Sequence, residues 1–301
     1  MSFNVLVVHD YSILGELLLA RLKQTRLGVT PVLVSDPARL EMSAIPEWVP
    51  AGTDLIVNAL WLADPENAAQ NATAVGGACS EVPRALSDIA RERDIPLMQM
   101  SSSYVFDGRK QTAYITSNPG KPFTLLGSWQ WETEQYLRAN NPKHLILRTG
   151  WSLTRFIRKV LSGLDNPAAM QLPSKHVGQP VTSDDLARVI VAMILQLDCG
   201  AEVWGTYQYA GAEEISMYDL GLAIAEIGGW RKQLSIIDDN PDWAELEPEN
   251  SQLGCLKIRN TFGIKQLPWR TGMLKEIERV QTQLSRKNEP TDNRIPRAIR
   301  S

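Results

Sequence analysis

"NVLVVHDYSILGELLLARLKQ", residues 4–24, decides the fold. Its first five residues are a short, β-branched apolar run, the pattern of a strand buried on both faces. From Ile13 onward, Ile13, Leu14, Leu17, Leu18 and Leu22 recur at helical spacing, so 13–24 is expected to be a helix. A strand that passes through a tight turn straight into a helix opens an α/β sheet. In such a turn glycines permit the bend, let backbone N–H groups approach a pyrophosphate, and let the helix pack closely on the strand. Here only Gly15 survives, with helix–strand packing as its expected job. His9 takes the first glycine position and Ser12 the second. A side chain at the first place strains the bend, and one at the second fills space that a pyrophosphate would need. The helix N-terminus still offers free N–H donors for an anion.

Working outward, the same alternation continues to about residue 150. Strands are expected at 30–35, 54–60, 96–106, which runs into a loop, and 144–151. Helices are expected at 81–94 and 131–140. Alternating β and α with continuous apolar strands predicts a parallel, doubly wound sheet. Asp36 ends the second strand about 20 residues past Gly15. That is the place of a ribose-binding carboxylate, although "SDPARL" reads more simply as a cap or turn. The second half is more mixed. It carries expected helices at 154–164, 183–197, 216–229 and 272–287, and a short strand at 205–211. Ser183 reads as an N-cap with Asp184 and Asp185 in the first turn; Ser216 reads as a second cap, with Gly228–Gly229 as a stop. The polar tail 288–301 is expected to be disordered.

Composition narrows the function classes. The chain has 301 residues, 44% of them hydrophobic and 22% charged, with a net charge of −3, so it offers no electrostatic footprint for nucleic acid or an anionic membrane. Cys79, Cys199 and Cys255 are odd in number and widely spaced, as expected of reduced thiols in a cytoplasmic protein. His9, His144 and His176 show no metal-ligand spacing. No run reaches the ~18–20 apolar residues needed to span a membrane.

Five segments together resemble dTDP-4-dehydrorhamnose reductases of the extended short-chain dehydrogenase/reductase superfamily. They are "MSSSYVFDG" (100–108), "LILRTGW" (145–151), "GQPVTSDDLA" (178–187), "GTYQYAGAEEISMYDL" (205–220) and "NSQLGCLKIRNTFGIKQLPWR" (250–270). The resemblance implies a Rossmann-type NAD(P) domain at 1–150 plus about 179–204. It implies a smaller C-terminal α/β domain, at about 151–178 and 205–287, that grips a nucleotide-sugar. It also implies hydride transfer to a sugar ketone: a tyrosine donates the proton, a lysine lowers that tyrosine's pKa, and a Ser/Thr hydroxyl binds the carbonyl. Carried onto this chain, the hydroxyl is Ser102, the tyrosine position is Leu126 and the lysine position is Gln130. Gly127 and Glu134 still match and fix the register.

Leucine has no proton to give, and glutamine has no charge with which to depress a pKa. Losing a general acid alone costs about 10²–10⁴ in rate. The expectation is therefore a reductase-like pseudoenzyme that binds a nucleotide, a nucleotide-sugar or a protein partner, with homodimerisation open and NAD(P) a doubtful cofactor. The alternative is an active nucleotide-sugar reductase or epimerase with a relocated donor, Tyr104 first and then Tyr114 or Lys121. Trp129 and Trp131 flank the lysine position, either filling the volume left by a nicotinamide or stacking on a base. Arg148 resembles a framework residue that holds a loop.

Overall fold

A computed structural model describes residues 2–36, 39–60, 64–166 and 169–288. Six strands build one parallel sheet: β1 (Asn4–His9), β2 (Gly28–Leu33), β3 (Leu55–Asn58), β4 (Leu97–Ser102), β5 (His144–Thr149) and β6 (Gly205–Tyr209). Their spatial order is β2-β1-β3-β4-β5-β6. The doubly wound, Rossmann-type fold expected from the alternation is the one observed. The period-2 geometry of β1 explains why its apolar run is continuous. Val5 and Val7 face one core with Leu14, Leu18 and Leu22 of α1 (Ile13–Leu22). Leu6 and Val8 face the other core with Val82, Leu86 and Ile89 of α2 (Val82–Glu92). Pro31 sits on β2, an edge strand, where a missing N–H is tolerated.

The remaining helices are α3 (Leu125–Asn140), α4 (Leu153–Leu164), α5 (Ser183–Asp198), α6 (Met217–Ile227), α7 (Leu256–Phe262) and α8 (Arg270–Asn288). A separate core joins Phe156, Ile157 and Val160 of α4 to Leu220 and Ile224 of α6 and to Met273, Ile277 and Val280 of α8.

Four expectations are corrected. The division expected at residue 205 fails, because β6 pairs in parallel with β5 and extends the main sheet; Cys255, Ile258 and Phe262 also pack into the first core. The cap of α5 is Thr182, whose Oγ1 accepts from the Asp185 N–H at 3.1 Å. Ser183 lies inside the helix, and its N–H donates to buried Glu276 at 3.0 Å. α3 begins at Leu125 rather than 131, because Thr124 caps it by accepting the Gly127 N–H at 3.1 Å. β2 starts and ends two residues earlier than 30–35. Ser216 does cap α6. All but the first residue of the tail expected to be disordered lie outside the described residues.

Candidate ligand cleft and the buried catalytic position

A cleft of about 1050 Å³ opens at the carboxyl ends of β1, β2 and β3. It sits where the strand order reverses, the usual ligand crevice of an open α/β sheet. One wall is the sheet side: Asp10–Leu14 after β1, Val34–Asp36 after β2, and part of the segment 64–75. The facing wall is α4, with Arg155, Arg158 and Lys159. Their spacing of three and four residues puts all three on one helical face. Gln283 of α8 closes one end: its Nε2 donates to the Tyr11 carbonyl at 2.5 Å, and Arg158 donates to its Oε1.

Two N–H groups of the β1 turn are taken within the turn itself. Ser12 Oγ caps α1 by accepting the Gly15 N–H at 3.1 Å, and Asp10 Oδ1 accepts the Ser12 N–H at 2.9 Å. His9 does not line the cleft; its Nδ1 lies 3.0 Å from the Asp10 carbonyl oxygen. Gly15 does not line it either. A Cβ there would stand 2.8 Å from the Asp10 carbonyl and 3.3 Å from His9 Cβ, so the glycine serves helix–turn packing. Of the four cofactor candidates, Ser12 and Asp36 reach the cleft. Asp36 pairs with Arg39 at 3.3 Å.

The catalytic candidates lie elsewhere. A Cβ on Gly127 would sit 2.1 Å from the Tyr104 carbonyl, so only glycine lets α3 press against the turn that follows β4. That contact brings Leu126 and Gln130 under the turn. Ser102 Oγ donates to Gln130 Oε1 at 2.5 Å. Leu126 is wholly buried with Ala68, Val75, Cys79 and Tyr104, and Trp129 packs on the same cluster. Burying that leucine contributes roughly 1.5–3 kcal/mol. None of Ser102, Tyr104, Leu126 and Gln130 lines the cleft. Ala68, Val75 and Cys79, from Pro65–Gln70, Ala72–Gly76 and the π turn Gly77–Glu81, pack on Leu126 and Tyr104. The structure therefore brings the four residues together in a packed interior.

Charged groups organise the surroundings. The Tyr104 hydroxyl donates to Glu247 at 2.9 Å and accepts from Arg155 at 3.0 Å. Burial pushes the tyrosine well above its ordinary pKa, against the opposing pull of Arg155. Arg155 also pairs with Glu247 at 2.6 Å and Asp64 at 3.3 Å, while Lys159 pairs with Glu66 at 3.0 Å and lies over the Trp243 ring. Arg155 and Lys159 thus tie α4 to the 64–66 segment across the cleft. Arg148 is fully buried and donates twice to Glu134, at 2.9 and 2.6 Å; it lies over the rings of Phe106 and Trp131. Trp131 therefore packs against Arg148, on a different side of the helix from Trp129. Tyr114 stacks on Phe106 with centroids 4.2 Å apart and donates to Asp107 at 2.7 Å. Among the described residues no group of His, Cys, Asp and Glu could hold a metal, and no helix is long and apolar enough to cross a membrane.

Asp10, Arg155, Arg158, Lys159 and Glu247 escaped the sequence reading. Two signals were present: Asp10-x-Ser12 is an Asx-turn pattern, and "RFIRK" puts three cations on one helical face.

A switch-point cleft roofed by a second, smaller core defines a protein of the extended short-chain dehydrogenase/reductase class. Residues 3–282 match the RmlD substrate binding domain family, and the chain belongs to it. It is 28% identical over 201 residues to the dTDP-4-dehydrorhamnose reductase of Aggregatibacter actinomycetemcomitans, covering 62% of this chain and 68% of that one. Over 191 residues, 60% of this chain and 57% of the relative, it is 25% identical to mouse methionine adenosyltransferase 2 subunit beta. The dTDP-4-dehydrorhamnose reductase of Bacillus anthracis, solved in complex with NADP, superposes with a TM-score of 0.76 at 17% identity, covering 93% of this chain and 99% of that one.

Proposed function

We propose that this chain is a sugar-nucleotide-binding member of its family that does not transfer hydride, and that it acts by holding a nucleotide or nucleotide-sugar in the switch-point cleft, alone or within a protein complex. One observation carries the reading. The positions of the proton donor and its activating cation are Leu126 and Gln130, and both are packed out of the cleft. Ser102 donates its hydroxyl proton to the Gln130 side-chain carbonyl rather than holding it free for a ligand carbonyl. Two features oppose NAD(P): the Ser12 and Gly15 N–H groups are taken by Asp10 and Ser12, and Leu126 is buried among apolar side chains. A relocated donor at Tyr104 is opposed by its geometry, since the hydroxyl is buried, already donates to Glu247, and is a weaker acid than a free tyrosine. Tyr114 is similarly committed to Asp107. The likeness to an enzyme's β subunit supports the partner-binding half.

The test mixes purified protein with NADH or NADPH and dTDP-4-dehydrorhamnose and follows cofactor oxidation. No oxidation above the protein-free rate is expected. Turnover in the ordinary enzyme range, ~1–10³ s⁻¹, sinks the proposal. Calorimetric titration with dTDP-sugars then tests the binding half, and saturable heat is expected.

A further inference from the structure

The two walls of the cleft are unlike in charge. The stretches after β1 and β2 contribute Asp10 and Asp36 and, among the described lining residues, no lysine or arginine. The cations stand opposite on α4, where Arg155 is committed to Glu247 and Asp64 and Lys159 to Glu66. At the N-terminus of α1, where this fold would receive a pyrophosphate, the Ser12 N–H is taken by the Asp10 carboxylate at 2.9 Å and the Gly15 N–H by Ser12 Oγ at 3.1 Å. A carboxylate there occupies the dipole's positive end in the way an anionic ligand would.

The geometry points to Asp10 as a specificity-determining residue. Its carboxylate is the protein's own anion at the pyrophosphate position, so the sheet side of the cleft excludes a dinucleotide and receives an uncharged or cationic part of the ligand. The inference rests on the proposed use of this cleft as the ligand site. A pyrophosphate entering the turn would have to displace Asp10 from Ser12 and then lie against it as a like charge; Arg39 on that side is paired with Asp36, and no lysine or arginine among the described residues lines that wall.

The test uses full-length Asp10→Asn and Asp10→Ala, with thermal melts to establish folding, and NADH as the probe in calorimetric titrations. Asparagine keeps an oxygen for the Ser12 N–H and removes only the charge; alanine also frees the N–H. Wild type is expected to show no saturable NADH binding at millimolar concentration, and both variants at least a tenfold gain. The gap between Asp10→Asn and wild type is expected to narrow as salt rises, because the repulsion is screened. If alanine fails to fold, the asparagine variant decides. Wild-type affinity within threefold of both variants overturns the assignment, as does tight wild-type binding. Adding dTDP-4-dehydrorhamnose and NADH to Asp10→Asn separates this inference from the proposed function. Turnover there would refute the loss of chemistry and leave Asp10 standing. A variant that gains no NADH affinity would refute Asp10 and leave the proposed function untouched.

Discussion

Putting the family's catalytic pair back, as Leu126→Tyr with Gln130→Lys, should cost stability rather than restore turnover. Leu126 has no exposed surface and is enclosed by Ala68, Val75, Cys79 and Tyr104. A tyrosine ring forced into that space overpacks it, at about 1–3 kcal/mol. Its hydroxyl has no partner in an apolar cluster, adding about 1–3 kcal/mol. Lysine at 130 removes the acceptor of Ser102, worth about 0.5–1.5 kcal/mol, and places an ammonium at a site 6% exposed. Together the loss is roughly 2.5–7.5 kcal/mol before the buried charge is counted, against a typical domain stability of about 5–15 kcal/mol. The assay is urea denaturation followed by tryptophan fluorescence, with Trp129 on the cluster as a local reporter. Leu126→Ala is the packing control, with about 2–5 kcal/mol expected. A double variant within about 1 kcal/mol of wild type would refute the claim that the catalytic position is packed shut, and cofactor oxidation by it would refute the proposed function as well.

Three further outcomes follow from named contacts. Glu134→Gln leaves the buried Arg148 guanidinium without its carboxylate and should cost about 3–5 kcal/mol in denaturant titration. Burial alone would raise the pKa of Glu134, but Arg148, Arg138 and Ser101 outweigh it and hold it below the ordinary carboxylate value. A depressed pKa means stability that is present at neutral pH and lost as pH falls below the ordinary carboxylate range toward the folded value, so the wild type should lose an acid-sensitive component of its melting temperature that Glu134→Gln lacks. Gly127→Ala puts a Cβ 2.1 Å from the Tyr104 carbonyl and should destabilise by at least about 1–3 kcal/mol, with altered near-ultraviolet circular dichroism around Trp129. Tyr104→Phe should cost about 1–3 kcal/mol by leaving Glu247 and Arg155 one buried partner short, and should leave dTDP-sugar affinity unchanged because Tyr104 does not line the cleft.

The sheet was legible because strands buried on both faces announce themselves as continuous apolar runs, as β1, β3 and β5 do. The register that set Leu126 and Gln130 at the catalytic positions came from the likeness around Gly127 and Glu134, and both residues have physical reasons to stay: one permits the close approach to Tyr104, the other neutralises Arg148. What failed was information that a sequence does not carry locally. A strand such as 205–209 does not declare which sheet it joins; the partner β5 lies far away in the chain. The start of α3 was hidden because Gly127 and two tryptophans weaken helix propensity, and only the Thr124 cap and tertiary packing override them. The direction of the Asp10 side chain was equally invisible, since an Asx turn is one of several uses of an aspartate before a helix.

The segment 64–81 links a leucine at position 126 to the packing above it. "DPENAAQNATAVGGACSE" has small residues and little apolar periodicity, so by itself it specifies no strong amphipathic helix. Its helical turns are held by what they cover: Ala68, Val75 and Cys79 pack on Leu126 and Tyr104, while Asp64 and Glu66 pair with Arg155 and Lys159 of α4. An exposed leucine on the wall of a wet cleft would forfeit the burial that stabilises it, and a polar tyrosine or lysine in its place would forbid the segment from closing down. Leucine at 126 and the covering segment therefore stabilise each other. The cleft along the sheet edge and α4 stays open while Ser102, Tyr104, Leu126 and Gln130 lie packed outside it, which is the arrangement the proposed function rests on.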